Sequence, residues 1–151
     1  MDPPVLLIER NMKETVKRDY AEIYRTREKN LLSERVKKSR LSLQLSGIII
    51  FSGGILFKII SPAFSYLNLL LYIVVSALFL LLSVYGYKRP YKAIQLSILL
   101  LVGFGLADSY FQHEEFLLPS NIIRLISLAI LVFVFKTAKE ADIIKKDLHL
   151  S

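Results

Sequence analysis

The sequence predicts an all-α integral membrane protein with four transmembrane helices, an N-terminal cytoplasmic amphipathic helix and a short C-terminal cytoplasmic helix. Three observations carry that expectation. Apolar residues make up 54% of the 151 residues, although 20 residues are Lys or Arg. The two populations are segregated: eleven of the basic residues fall between Arg10 and Arg40, whereas residues 41–135 are mostly a succession of apolar runs. The runs are also long, and a hydrocarbon layer about 30 Å thick needs roughly 20 helical residues to cross it.

The chain divides on this reading into a basic arm (1–40), a four-helix membrane domain (41–136) and a tail (137–151). The apolar stretch Val5–Ile8 is too short for the core of a secretory signal and runs into charges, so the first residues are expected to be retained. From Glu9 to Arg40 there is no Gly or Pro, and Glu, Lys, Arg and Leu predominate, which favours helix. Ile8, Met12, Val16, Tyr20, Ile23, Leu31 and Leu32 recur at helical spacing, interrupted at Arg27, and form one narrow apolar stripe. Such a stripe suits a second copy or a partner protein. The basic end suits anionic lipid headgroups, with Lys37, Lys38 and Arg40 as contacts on the arm and Lys88, Arg89 and Lys92 on the following cytoplasmic turn. Nucleic acid is an unlikely partner, because seven acidic residues within 1–40 reduce the arm to about +4 and leave no clean patch for phosphate.

The first span is expected over 41–60, stopped at Ser61-Pro62, since proline lacks an N–H and restricts the residue before it. The second, 66–85, contains no charge and should form an antiparallel hairpin with the first. Gly86, Lys88, Arg89, Pro90 and Lys92 mark a turn, followed by a third span over 93–110. The fourth, 120–135, carries Arg124 one turn from its start. The third and fourth are short, which leaves two spans plus a re-entrant hairpin as the alternative. Five tyrosines (Tyr66, Tyr85, Tyr87, Tyr91, Tyr110) fall at expected water–lipid boundaries, and Tyr72 is the exception.

Orientation follows from basic residues in short loops, which stay on the cytoplasmic side. Four spans put eighteen of the twenty basic residues on one side and leave Lys58 and Arg124 for the other. Both termini are therefore expected in the cytoplasm. A bacterial inner membrane is favoured, and a eukaryotic endomembrane fits the same charge pattern.

Ser42, Ser46, Gly47, Gly53 and Gly54, with Ser39, lie near one face of the first span. Small residues let helix backbones approach closely in lipid, so this face reads either as an oligomer or pore seam or as intramolecular packing on the second or third span, with Gly103 and Gly105 as candidate neighbours. Lys58 and Arg124 are cations at membrane depth, where charge is costly unless paired, and Asp108 is the expected counter-charge for Arg124.

The loop from Asp108 to Glu115 holds His113, Glu114 and Glu115 but no second histidine, so its spacing matches no helical metal motif, and it reads as an acidic solvated loop. His149 stands alone in the tail. Without cysteine, thiol catalysis and zinc–thiolate sites are excluded. No phosphate loop or nucleophile elbow occurs, and no catalytic, cofactor or metal residues are assigned. The expected function is non-enzymatic: self-association through the membrane helices as a channel or membrane effector, with the arm as docking or sensing surface. The alternatives are an accessory or scaffold subunit of a larger complex, and a small transporter or lipid-modifying enzyme.

Overall fold

The computed structural model describes residues 4–60, 64–111 and 114–148, with side chains placed at 20, 22–60, 64–110 and 120–148. Four helices follow one another: α1 (Pro4–Ile60), α2 (Tyr66–Tyr85), α3 (Pro90–Phe111) and α4 (Glu114–Asp147). All four are long and apolar enough to cross a membrane. By length and composition this is a multi-pass membrane protein.

The helices form an up-down-up-down bundle in which α1 packs on α2 and α4, while α3 packs on α4 and α2 and barely meets α1 across the diagonal. Short connections force that order, because consecutive helices joined by a few residues must lie antiparallel. Ser65 caps the start of α2, its hydroxyl accepting from the Leu67 N–H at 3.2 Å. Pro90 opens α3, at the position where a helix tolerates a missing N–H. The third span thus begins three residues earlier than periodicity suggests.

Neither the arm nor the tail is a separate helix. The boundaries at 40/41 and 136/137 both lie inside continuous helices, because no Gly or Pro interrupts either junction. At helical rise, α1 extends about 55 Å beyond Leu41 toward its start. The last turns of α4 run back along this extension. Arg35 of α1 pairs with Glu140 of α4, and Ser39, Ala138 and Ala141 are fully buried at the join. The arm root is therefore a two-helix extension of the bundle.

The buried face of α1 reads Ser39, Leu43, Ser46, Ile50, Gly54 and Phe57, at intervals of three or four. It meets Tyr72, Val75 and Phe79 of α2 and Leu131 of α4 in one core. Most large apolar side chains outside that seam face outward, among them Leu70, Leu81, Leu99 and Phe133. In a water-soluble bundle such a surface would be a severe liability; in lipid it is the ordinary exterior.

Candidate functional site

The small residues of α1 are engaged within the chain. A methyl group added at Gly54 would lie 2.7 Å from Tyr72 Cβ, and one at Gly47 would lie 3.1 Å from Phe79 Cβ and 3.3 Å from the Ser76 carbonyl oxygen. Gly53 faces Ile123 of α4. Ser76 Oγ donates to the Gly47 carbonyl at 2.8 Å, and Ser83 Oγ reaches the Arg40 carbonyl at 3.4 Å. Close backbone approach and hydroxyl bonds across it hold α1 on α2. Ser46 is fully buried and Ser42 half-buried on the same helix. The neighbours are α2 and α4 rather than Gly103, which faces open space, or Gly105, which abuts Arg124.

Near the end of the bundle opposite the arm, four polar side chains from three helices converge. Asp108 of α3 is fully buried, and its Oδ2 accepts from Ser120 Oγ of α4 and from Tyr72 Oη of α2 at 3.3 Å. The Tyr72 and Ser120 hydroxyls lie 2.8 Å apart. Arg124 Nη2 stands 3.3 Å from Asp108 Oδ2, an ion-pair contact, while its Nη1 donates to the Gly105 carbonyl at 2.8 Å and its Nε to the Ser120 carbonyl at 3.3 Å. Arg124 is 11% exposed and Asp108 0%, so the charges meet where neither is hydrated and each must be neutralised by the other.

An aromatic shell encloses this cluster. Tyr72 meets Phe104 edge to face at 4.9 Å and Phe57 and Phe64 at 6.0 Å each, and the Arg124 guanidinium sits 6.0 Å over Phe104. Sequence reasoning had brought Asp108 and Arg124 forward but missed Tyr72 and Ser120 as their partners. The signal for Tyr72 was its misfit with the interfacial belt: a phenol at depth needs a hydrogen-bond partner. Ser120 sits four residues before Arg124, on the same face of α4.

Lys58 does not join this cluster. Its Nζ donates to the Phe64 carbonyl at 2.6 Å and lies 4.0 Å over the Tyr66 ring, so it ties the end of α1 to the start of α2. The side chains of His113, Glu114 and Glu115, on which the acidic-loop reading falls, lie outside the described residues, as do Pro62 and His149.

At the arm end, Lys37, Lys38, Lys88, Arg89 and Lys92 are exposed and Arg40 is half-buried. Lys38 pairs with Glu34 at 3.1 Å, and Lys145 Nζ donates to the Lys88 carbonyl at 2.6 Å, fastening α4 to the α2–α3 turn. Farther along the arm, Tyr20, Ile23 and Tyr24 are 70%, 64% and 62% exposed. The side chains of Ile8, Met12 and Val16 lie outside the described residues.

Together these features define a class, a four-helix membrane bundle with a closed polar cluster at one end and a long helical arm at the other. Comparison with protein-family models, with curated proteins and with solved structures finds no match to this chain.

Proposed function

We propose that this protein is a non-enzymatic membrane anchor that works by self-association, with its arm as the docking surface on the cytoplasmic side. The observation that carries the reading is the uninterrupted α1 helix. It leaves the bundle as a helical extension and presents Tyr20, Ile23 and Tyr24 to solvent. Copies held in one membrane present their arms parallel and at equal height, so Ile23 meets Ile23 without a search for register. Planar confinement raises the local concentration of arms, so a modest stripe suffices.

The basic bias supports a cytoplasmic arm end, since the arm, the 86–92 turn and the end of α4 share one end of the bundle and carry eighteen of the twenty Lys and Arg. Asp108, Arg124, Tyr72 and Ser120 contact one another, which fits a structural role for that cluster. At Gly47, Gly53 and Gly54 the neighbours are side chains of α2 and α4 of the same chain, which favours association through the arm.

Native mass spectrometry and in-membrane cross-linking of the full chain test this reading. The wild type should give a defined oligomer, and Ile23→Lys with Leu31→Lys should reduce it to monomer without loss of membrane insertion. A monomeric wild type sinks self-association. If instead a different protein copurifies in stoichiometric amount and is lost with the same two substitutions, the arm belongs to an accessory subunit.

A further inference from the structure

At the arm root, α1, α4 and the α2–α3 turn enclose a groove of about 540 Å³. Its charged lining is cationic throughout: Lys29, Lys37 and Arg40 from α1, and Lys145 from α4. Leu32 and Val36 supply an apolar floor between them, and Tyr87 closes the side nearest the bundle.

None of the acidic residues of this region lines the groove, and four of them are engaged elsewhere. Glu34 pairs with Lys38, Glu140 with Arg35 and Asp142 with Lys146, while Glu28 hydrogen-bonds Tyr24. The groove cations are thus left without a lining carboxylate. Arg40 shows the imbalance most sharply: its Nε is buried and has no hydrogen-bond partner, while its guanidinium lies 5.9 Å over the Tyr87 ring. A buried guanidinium N–H without an acceptor costs free energy that an anionic oxygen would recover.

The groove's height relative to the apolar belt identifies the anion. Arg40 is the last charge before the run that begins at Leu41, and the 20 residues from there to Ile60 span about 30 Å, the thickness of a hydrocarbon layer. Arg40 and Tyr87 therefore lie at headgroup level, with Lys37 and Lys145 just outside. Leu32 and Val36 give the groove an apolar component that a free inorganic ion does not use.

We propose that this groove binds the phosphate headgroup of an anionic phospholipid, with Arg40 as the principal donor and Lys37 and Lys145 as flanking charges. The site rests on the membrane placement of the bundle and is independent of arm pairing. Occupation would tie α4 to α1, as the partly exposed Arg35–Glu140 pair does.

The test is native mass spectrometry of the full chain from micelles doped with phosphatidylglycerol or phosphatidylcholine, with and without inorganic phosphate. The wild type should retain phosphatidylglycerol preferentially. Lys37→Gln with Lys145→Gln should lower that retention about thirty-fold, at roughly fivefold per cation removed. Arg40→Gln should lower it further, and Arg40→Lys should restore part. Arg89→Gln with Lys92→Gln, outside the groove, should leave it unchanged, as should the arm substitutions Ile23→Lys and Leu31→Lys.

Equal retention of the two lipids overturns the proposal, as does wild-type retention in the Lys37/Lys145 variant. Loss of the bound lipid to millimolar phosphate overturns the lipid assignment and makes the groove a site for a free anion. The Lys37/Lys145 pair keeps the test sound should Arg40→Gln fail to fold, because Lys37 is exposed and Lys145 only half-buried.

Discussion

Replacing Arg124 by Leu removes the guanidinium beside the fully buried Asp108 carboxylate and leaves its hydrogen bonds from Ser120 and Tyr72 in place. Breaking such a pair from one side costs about 3–5 kcal/mol, most of it the penalty of the charge left behind. Asp108→Asn combined with Arg124→Gln removes both charges and should recover more than half of that loss. Unfolding by denaturing detergent from bicelles measures both, and equal stability of the single and double variants would show that the pair is not coupled. Tyr72→Phe is the milder change. It deletes one hydroxyl from a network whose Ser120–Asp108 bond persists, so the loss should be about 1 kcal/mol. At this scale the sequence was half legible: isolated charges at depth announce that they need partners, but hydroxyl partners such as Ser120 look like any other serine.

Among elements, the contact between α1 and α2 depends on glycine at one place in particular. A Cβ at Gly54 would strike Tyr72 at its own Cβ, an atom fixed by the backbone of α2, so Gly54→Ala must push the helices apart. Overpacking of this kind costs about 1–3 kcal/mol. Gly103→Ala meets nothing within 4 Å and should be neutral or stabilising by up to about 1 kcal/mol through helix propensity. The same unfolding titration separates them, and a Gly54→Ala protein as stable as Gly103→Ala would contradict the close approach. The extents of α2 were legible because Ser61-Pro62 and Gly86 bracket an apolar run that no charge interrupts. The extents of α1 and α4 were not, because a helix that leaves an apolar environment for water changes composition without changing conformation. Hydropathy marks where Leu41 and Phe135 stand, while backbone hydrogen bonding carries on past both.

For the whole molecule, the arm root, the 86–89 turn and the end of α4 share one end of the bundle. A chain without cysteine offers a direct check through single cysteines in the intact cell. Lys88→Cys and Lys139→Cys should react with an impermeant maleimide only after the membrane is opened, and Tyr66→Cys and Tyr110→Cys should react beforehand. Labelling of Lys88→Cys and Tyr110→Cys from the same face would break the four-span topology. The alternation of four spans was readable from the apolar runs and the breaks between them. Their arrangement into a ring with α1 beside α4 was not, because the pairing of first and last helices follows from shape at Gly53 and Ile123 and from the Arg35–Glu140 contact, neither of which has a local signature.

The absence of any break in α1 at the membrane surface has a mechanical side. A stiff rod held along about its lower half converts small angles into large displacements. A change of about 10° in the tilt of the span, of the size that an altered bilayer thickness produces, sweeps the far end of a 55 Å extension through roughly 10 Å. If arms pair as proposed above, a change of lipid thickness would then alter the distance between their far ends.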